Sequence, residues 1–588
     1  MGWPLVGETF HWLFQGSNFH ISRRERHGNV FKTHLLGKPL IRVTGAENIR
    51  KILLGEHSLV CTQWPQSTRI ILGPNTLVNS VGDIHKRKRK ILAKVFSRGA
   101  LESYLPQVQD VIRTEIAKWC AELGSIDVYS AAKSLTFRIA VRVLLGLQME
   151  EERIVYLAKI FEQLMNNLFS LPIDTPFSGL RKGIKAREIL HANMEKIIEE
   201  KIERSQVDED YQDAFDLMLS GAKEQGQELS IQELKETAVE LIFAAHSTTA
   251  SASTSLVLQL LRHPAVVEKA RVELEAEGLG YRPEKSQNPP SNAEEMEQES
   301  AEMETICLLN GVNQSDDGFP KSRSHVPYLS LEKLRKLRYI DCVVKEVLRY
   351  LPPVSGGYRT ALQTFELDGY QIPKGWSVMY SIRDTHETSP VFQSPEQFDP
   401  DRFGPERDES RSSRFSYVPF GGGVRSCIGK ELAQIILKTL AVELIETCKW
   451  TLASEKFPKM QTVPIVHPVN GLHGPVALPR SLSDEHLALC SELGDVFHPE
   501  FTAVPLAAQV LLPHSDAAGK DALDGGSVEA VSLEEDEVKK HKNARRAQDS
   551  SGQEETRPDP GKQVLEFSLG FRWTDFKFKS LNRTDHDL

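Results

Sequence analysis

Apolar residues recur at helical spacing through most of the first three quarters of this chain. Spacing of three and four residues places apolar side chains on one face of a helix, and it predicts helices at 47–54, 85–96, 105–121, 131–146, 151–168, 183–204, 230–262, 330–350 and 430–447. The 230–262 segment is the longest of these. Ser230 and Glu233 have capping-box spacing at its start, and Pro264 follows its end. A helix of about 33 residues is about 50 Å long, so it would cross a whole domain.

In two short segments, apolar and polar residues alternate as in β-strands on either side of turn residues. They are "VFKTHLLGKPLIRVTG" (30–45) and "YQIPKGWSVMYSI" (370–382), and each predicts a hairpin. The expected fold is therefore mainly α with small β-sheets.

Two polar stretches interrupt this pattern. Residues 277–326 are rich in charge and proline and predict an extended surface insertion. Residues 473–588, which include the basic cluster "KKHKNARR", predict a largely disordered C-terminal extension in which that cluster is a solvated charge run. The folded domain is expected to span 1–472.

Composition limits the class of protein. A chain of 588 residues with 40% hydrophobic content is globular and exceeds one ordinary core. A net charge of −10 gives no general reason to expect nucleic-acid binding. Seven irregularly spaced cysteines argue against a disulfide framework and favour a reducing compartment. No apolar run reaches about 18 residues, so the chain as given is predicted to span no membrane.

One cysteine lies among glycines just before the last predicted helix, in "FGGGVRSCIGKELA" (420–433). No second cysteine is near it, which excludes zinc-type spacing and a paired-thiol redox site. Three interpretations remain for Cys427. It is an inert buried thiol, a nucleophile, or the sole protein ligand of a metal cofactor.

The loop resembles the haem-binding loop of the cytochrome P-450 superfamily, Phe-x-x-Gly-x-Arg-x-Cys-x-Gly. The matching residues are Phe420, Gly423, Arg425, Cys427 and Gly429. The resemblance implies haem b with Cys427 as the axial thiolate, which favours cleavage of the O–O bond, and Arg425 as a partner of a haem propionate. It also implies the cytochrome P-450 fold, with the haem between the 230–262 helix and the 430–447 helix.

Other stretches match the same superfamily. Glu346 and Arg349 in "EVLR" lie three residues apart on one helix face, and with Arg402 in "FDPDRF" they resemble its buried Glu-Arg-Arg cluster. "HKRKRK" resembles its Trp-x-x-x-Arg, with His85 in the Trp place and Arg89 as a second propionate partner. Arg359 in "PPVSGGYRTAL" would be a third.

The long helix contains "AAHSTT", where the superfamily carries two small residues, any residue, an acid and two threonines. Thr248 occupies the place of the threonine that holds water and delivers protons during oxygen activation. Ser247 replaces the acid, so relay through hydroxyl and water is expected, with slower or leakier oxygen activation. The alternative interpretation is that Thr248 is an ordinary mid-helix threonine whose hydroxyl bonds to the carbonyl four residues earlier.

Within the superfamily, "WPQSTRIILG", "NLFSLPIDTPFSGLRKGIKAR" and "TVPIVHP" resemble the retinoic acid hydroxylase family, most of all its third vertebrate paralogue. The resemblance implies hydroxylation of all-trans-retinoic acid in an apolar pocket with a polar anchor. The pocket residues it implies are Trp64, Phe169, Phe243, Val354 and Ser355. Arg69 or Arg42 would hold the carboxylate.

Two alternatives stay open. One is a hydroxylase of another lipophilic acid or a sterol. The other is a non-catalytic haem or retinoid binder, which Ser247 motivates.

Electrons must come from a partner, because the chain has no flavin or nicotinamide motif. O2 is the expected co-substrate, and NADPH acts only through a flavoprotein reductase. Residues 85–98 carry seven Lys or Arg and no acid, which predicts a reductase docking patch that includes Lys86, Lys90 and Lys94. By resemblance, the location is the cytosolic face of the endoplasmic reticulum membrane.

Overall fold

The computed structural model describes residues 7–477 except 36–37, 122–124, 205–212, 281–326, 412, 451–455, 463 and 475. The fold is mainly helical with small sheets, as predicted. Most of the predicted insertion at 277–326 and of the predicted extension at 473–588 lies outside the described residues.

The helices follow the predicted pattern over most of its length. Their bounds are α1 Thr9–Gln15, α2 Ser17–His27, α3 Ala46–Leu54, α4 Gln66–Leu72, α5 Gly82–Leu92, α6 Arg98–Ala121, α7 Val128–Arg138, α8 Glu151–Asn167, α9 Gly179–Arg204, α10 Ala214–Lys223, α11 Ile231–Arg262, α12 Pro264–Ala276, α13 Leu331–Lys336, α14 Arg338–Tyr350, α15 Ile382–Thr388 and α16 Lys430–Thr447. A π-helical turn, Ile139–Leu144, continues α7.

The predicted long helix is α11, and it forms the centre of the molecule. Ser230 and Glu233 make both hydrogen bonds of the capping box at its start. Its faces pack on α7, α9, α14 and α16. Among the described helices only α11 is long and apolar enough to cross a membrane, but 78% of its apolar window is buried inside the protein. It is therefore the core helix of a folded domain.

The strands are short. Their bounds are β1 Val30–Leu35, β2 Lys38–Val43, β3 Val60–Thr62, β4 Ile126–Asp127, β5 Gly356–Ala361, β6 Phe365–Leu367, β7 Tyr370–Ile372, β8 Ser377–Ser381, β9 Lys449–Trp450, β10 Met460–Gln461, β11 His467–Pro468, β12 His473–Gly474 and β13 Val476–Ala477. The largest sheet has the order β1-β2-β8-β5-β3.

The first predicted hairpin is confirmed, with β1 and β2 antiparallel from Val30 opposite Val43 to Leu35 opposite Lys38. The second is wrong. Strand β7 pairs with β6, whereas β8 joins the large sheet between β2 and β5. The chain reverses one turn earlier, at Asp368 and Gly369, whose φ values of 53° and 80° suit a type I′ hairpin turn.

Two further boundaries differ from the sequence prediction. The predicted 330–350 helix is two helices, because the first amides of α14, those of Tyr339 and Ile340, donate to the carboxylate of Glu273 at 2.7 and 3.0 Å. At the other end, β12 pairs with β4 and β13 with β9, so residues as far as Ala477 belong to the sheets of the domain.

Candidate functional site

Cys427 lies in the loop that leads into α16. Its backbone amide donates to the carbonyl of Phe420 at 2.9 Å, and a 3-10 turn spans Gly423–Arg425 between them. The Phe420 side chain packs against the main core, which fastens the loop. The Cys427 side chain is exposed. The loop therefore presents one accessible thiol beside the start of a helix.

Gly423 is required where this loop meets α3. Its φ is +66°, and a Cβ there would lie 2.2 Å from the carbonyl oxygen of Leu53. Gly429 differs, because the nearest atom to an added Cβ is a ring atom of Phe96 at 3.6 Å, an ordinary contact. The described protein atoms thus leave room beside Gly429.

Protein packed around the sulfur raises the pKa of the Cys427 thiol, even though the side chain is exposed by area. Burial is the main cause. It outweighs a hydrogen bond from the backbone amide of Gly429 and the positive charges of Arg89 and Lys430, which lower the pKa. A thiol with a raised pKa is a poor nucleophile, whereas a metal ion deprotonates a coordinating thiol. The geometry therefore favours the metal-ligand interpretation.

No three His, Cys, Asp or Glu side chains lie close enough to hold a metal ion together within the described residues. An iron at Cys427 would accordingly take its other ligands from the cofactor itself.

Arg359 of β5 and Arg425 of the cysteine loop meet on one carboxylate, that of Glu56. Arg359 Nε lies 2.7 Å from Glu56 Oε2, and Arg425 Nε lies 2.7 Å from Oε1. The amide of Thr62 also donates to Oε1 at 2.9 Å. The Glu56 side chain is 1% exposed. No feature of the sequence indicated this residue.

Each of the two guanidinium groups keeps one terminal nitrogen for a further partner. Arg359 donates its Nη1 to the carbonyl of Tyr358 at 2.8 Å, and Arg425 donates its Nη2 to the carbonyl of Ser80. Within the part of the chain that the structure describes, neither Arg359 Nη2 nor Arg425 Nη1 makes a hydrogen bond. These two nitrogens are donors suited to an external carboxylate.

The third predicted propionate partner also reaches the loop. Arg89 Nη2 donates to the carbonyl of Ser426 at 2.7 Å. One turn earlier on α5, the ring of His85 lies 5.5 Å from that of His57. His85 Nδ1 and His57 Nε2 are buried and have no hydrogen-bond partner among the described residues. Burial lowers the pKa of His57 and lowers that of His85 to about 4, so both rings are neutral at pH 7.

These residues fit haem b. Arg359 and Arg425 share the single carboxylate of Glu56, and Arg89 binds the cysteine loop at Ser426, so these groups carry an excess of positive charge that matches two propionates. The buried nitrogens His57 Nε2 and His85 Nδ1 have no partner among the described residues, and the Cys427 thiol is accessible. Cys427 would ligate the iron, and Arg425, Arg359, Arg89 and His85 would face the acidic edge of the porphyrin.

Thr248 lies on the open side of α11. Ala244, one turn before it, is exposed, and Thr248 is half-buried. The Thr248 hydroxyl donates to the carbonyl of Ala244 at 2.7 Å, which leaves its oxygen lone pairs free to accept. Ser247 is buried at 9% exposure. The two hydroxyls therefore do not share the open face, because successive residues of a helix lie about 100° apart around its axis.

The predicted substrate residues lie on three segments. The rings of Trp64 and Phe243 meet edge to face with centroids 6.3 Å apart. Val354 and Ser355 are half-buried between α14 and β5, and the Ser355 hydroxyl donates to the carbonyl of Thr462 at 2.8 Å.

Phe169 is 40% exposed just beyond α8. The residue before it is tied to α4, because the hydroxyls of Ser67 and Thr68 donate to the carbonyl of Leu168 at 3.1 and 2.9 Å. Phe169 and Trp64 thus belong to segments that are joined through α4.

The two candidate cations for the substrate carboxylate are in different situations. Arg42 is buried, and its Nη2 pairs with Asp384 at 2.9 Å. Arg69 of α4 is exposed, and no ion pair involves it within the described residues. The structure thus leaves Arg69, and not Arg42, available to a ligand.

The predicted Glu-Arg-Arg cluster is assembled and fully buried. Arg349 Nε and Arg402 Nε lie 2.7 and 3.1 Å from the carboxylate oxygens of Glu346, with all three side chains at most 1% exposed. A second carboxylate, Glu409, pairs with Arg402 at 2.8 Å. His386 extends the cluster, since its ring contacts the carbonyl of Arg349 and accepts from the amide of Val418, just before the cysteine loop.

Two carboxylates of α11 hold the loop between α4 and α5. Glu236 accepts from the amide of Asn75 at 2.7 Å, and Glu240 accepts from the amides of Leu77 and Val78, both at 2.7 Å. Burial raises the pKa of Glu240 to about 7, against the opposing effect of those amides. Sequence analysis missed both, because acidic residues in a helix pattern ordinarily predict a solvated face.

The fold and this site define a haem-thiolate monooxygenase, with a cysteine loop that leads into α16 and a long helix, α11, packed on α16. A family model for cytochrome P450 matches residues 1–282 and 322–472. The chain belongs to the cytochrome P450 family. The predicted class of enzyme is thereby confirmed.

Individual relatives are also close. The chain is 60% identical over 475 residues to cytochrome P450 26C1 of Homo sapiens, covering 80% of this chain and 86% of that protein. It is 55% identical over 472 residues to cytochrome P450 26B1 of Mus musculus, covering 80% and 85%. Among solved structures, retinoic acid-bound cyanobacterial CYP120A1 matches with a TM-score of 0.67 and 32% identity, over 82% of this chain and 98% of that one.

Proposed function

We propose that this monooxygenase hydroxylates all-trans-retinoic acid, on the ionone ring, and so ends a retinoid signal. The observation that carries the proposal is the likeness, at 32% identity over 82% of the chain, to a structure solved with retinoic acid bound. The residues around the distal helix are compatible with that ligand, as the next paragraphs argue.

The bound haem would supply the oxygen chemistry. One atom of O2 enters a C–H bond of the substrate and the other leaves as water, with two electrons and two protons consumed. The chain's own part would be to donate the Cys427 thiolate, to hold the porphyrin carboxylates with Arg359, Arg425 and Arg89, and to hold a proton at the Thr248 hydroxyl.

The substrate would lie between an apolar wall and a cation. Trp64 and Phe243, whose rings meet, would form that wall, and Val354, Ser355 and Phe169 would complete it. Arg69 would bind the carboxylate, since its guanidinium is exposed and free of ion pairs among the described residues. An apolar pocket with one polar anchor suits a long hydrocarbon acid.

The decisive experiment is turnover by the purified holoenzyme with NADPH, O2 and a microsomal flavoprotein reductase. A product one oxygen heavier than all-trans-retinoic acid is expected from the wild type, and none from Cys427→Ala, whose ferrous carbon monoxide complex should lose the red-shifted Soret band of thiolate ligation. Tight retinoic acid binding without any oxygenated product would contradict the proposal.

A companion experiment tests the carboxylate anchor. Arg69→Ala should raise KM for retinoic acid about tenfold, because a charged hydrogen bond to the substrate is lost, while binding of retinol, which has no carboxylate, changes little. Arg69→Lys should restore part of the affinity. An equal loss of affinity for retinoic acid and retinol would show that Arg69 contributes through packing and not through its charge.

Two alternatives are separated by the same assays. A non-catalytic retinoid binder is favoured by Ser247 in place of an acid, and it would show binding without product. A hydroxylase of another lipophilic acid or a sterol would turn over that substrate with a higher kcat/KM than retinoic acid.

The electron donor would be an NADPH-dependent flavoprotein reductase that docks on α5. Lys86, Arg87 and Lys90 are exposed there. Lys88 and Lys94 are less exposed and pair with Glu233 and Glu224, whereas Lys86 pairs with Asp83 at 2.9 Å but stays largely exposed in that pair. The docking patch would therefore be carried by Lys86, Arg87 and Lys90 more than by Lys94.

We further propose that the protein works at the cytosolic face of the endoplasmic reticulum membrane. Exposed aromatic side chains support this location, among them Phe14 at 75% and Phe177 at 83% exposure. Fractionation of cells that express the full chain should recover it with microsomes, and recovery in the soluble fraction would contradict this.

A further inference from the structure

The Glu56 carboxylate is the only acidic group that the structure shows in contact with Arg359 and Arg425 among the described residues. The two arginines lie 303 and 369 residues away along the chain. Glu56 therefore joins β5 and the cysteine loop, two segments that have no covalent reason to keep a fixed relative position.

The local backbone directs Glu56 inward. Gly55 ends α3, and its carbonyl accepts the amides of Ser58, Leu59 and Val60 in a tight turn. His57, within that turn, has φ of 71°, a left-handed conformation that is unfavourable for a residue with a Cβ. Such conformations persist where the surroundings over-determine them, often at functional sites.

The hydrogen bonds of the two guanidinium groups show how Glu56 orients Arg359 and Arg425. It takes the Nε edge of both guanidinium groups and leaves one terminal nitrogen on each without a partner in the described chain. A guanidinium is planar, so fixing one edge fixes the direction of the remaining N–H bonds. Both arginines are thus held ready before a ligand arrives.

We propose that Glu56 is a positioning residue that aims Arg359 and Arg425 at the two propionates of the haem and lowers the positive charge around them. This rests on the chain binding haem as its family does. Removal of the carboxylate loosens both arginines, which weakens haem retention. It also removes a negative charge beside the haem, which favours the reduced state and raises the midpoint potential.

The test compares Glu56→Gln with two other variants, each loaded with haem. Gln has nearly the shape of Glu and can still accept from the Thr62 amide, but it carries no charge. Glu56→Asp keeps the charge on a shorter arm. Asp384→Asn is the matched control, because it breaks another buried carboxylate–arginine pair, with Arg42 at 2.9 Å, that does not touch the cluster.

Three quantities are measured: the rate of haem transfer to excess apomyoglobin, the midpoint potential from dye-coupled titration, and the melting temperature. Glu56→Gln should lose haem about tenfold faster than the wild type and show a higher midpoint potential. Asp384→Asn should lower only the melting temperature. Glu56→Asp should restore haem loading and most of the potential.

Three results would overturn the proposal. Glu56→Gln could behave like Asp384→Asn in all three measurements. Glu56→Gln could fail to load haem while Glu56→Asp also fails, which would mean a packing role. A midpoint potential unchanged in Glu56→Gln would remove the charge effect. Failure of the wild type itself to load haem would instead refute the haem site on which the proposal stands.

Discussion

At the scale of single residues, the proposed chemistry depends on individual hydroxyl and carboxylate groups. Thr248 is the clearest case, because its hydroxyl is bonded to the Ala244 carbonyl and still faces the open side of α11. The helix bond and the proton-delivery role are compatible, since the bond uses the hydroxyl's hydrogen and leaves its oxygen to accept.

Thr248→Ala should uncouple the enzyme. Retinoic acid should bind with nearly unchanged affinity, while most NADPH consumption yields hydrogen peroxide and the ratio of product to NADPH falls several-fold, because no hydroxyl holds the proton. Peroxide and product are measured in the same reaction. Thr248→Ser is the control and should stay coupled. A ratio that stays at the wild-type value in Thr248→Ala would place proton delivery elsewhere.

At the scale of elements, buried ion pairs hold the segments that carry the site. Glu346 links α14 to the segment around Arg402, and His386 links the same helix to the start of the cysteine loop. Burial lowers the pKa of His386 to about 3, so this ring stays neutral and acts as a hydrogen-bond bridge.

Glu346→Ala should destabilise the fold by about 3–5 kcal/mol, because it leaves the buried Arg349 without a counter-charge and Arg402 with Glu409 alone. Thermal unfolding monitored by circular dichroism measures the loss. Glu332→Ala is the control, since the Glu332–Lys336 pair of α13 is exposed and worth under about 1 kcal/mol. Equal melting temperatures for the two variants would show that the cluster adds nothing to stability.

Glu240, which holds the loop between α4 and α5, makes stability depend on pH. Its pKa rises from 4.5 to about 7 on folding, chiefly through burial. The folded state therefore binds the proton more tightly, so this contribution to stability is full below pH 4.5 and is lost as pH rises through 7.

The melting temperature of the wild type minus that of Glu240→Gln should accordingly decrease when the pH is raised from 5 to 7.5. Differential scanning calorimetry at the two pH values measures this. Glu233→Gln is the control, because the pKa of Glu233 is lowered and its titration lies below that window. A constant difference between wild type and Glu240→Gln would show that Glu240 does not titrate there.

The sequence predicted elements and contacts whose cause is local. The capping of α11 by Ser230 and the pairing of Glu346 with Arg349 involve residues only three positions apart, so the sequence shows them directly. Glu56 and Glu240 could not be found that way, because their partners lie far along the chain. An isolated acidic residue in a sequence predicts only a solvent-exposed side chain. The second predicted hairpin is wrong for a different reason: two turn signals stand close together, Asp368-Gly369 and Pro373-Lys374-Gly375, and the hairpin forms at the first of them.

At the scale of the whole molecule, an acidic chain carries a basic face on α5. Net charge is −10, yet Lys86, Arg87 and Lys90 are exposed together on α5, the helix whose Arg89 touches the cysteine loop. Complementary charge at such a face mainly speeds association with an acidic partner and is screened by salt.

Reversal of Lys86, Arg87 and Lys90 to Glu should slow haem reduction by the flavoprotein reductase several-fold at low ionic strength, with retinoic acid binding unchanged. Stopped-flow reduction under carbon monoxide measures the rate. A control of the same chemistry reverses Arg153 and Lys159 on α8, both exposed, and should reduce like the wild type. An unchanged rate and salt dependence in the α5 variant would rule out this docking face.

The large sheet also imposes an order of events on synthesis. Strand β2 lies beside β8, with Val43 opposite Tyr380, so a ribosome adding about 5–20 residues per second needs about 17–70 s between the two. Throughout that interval the β1–β2 hairpin has an open edge and no neighbour to cover it. Until β8 is made, the nascent chain therefore exposes a strand edge that can pair with other chains, and we expect chaperones to improve its yield when it is made in quantity.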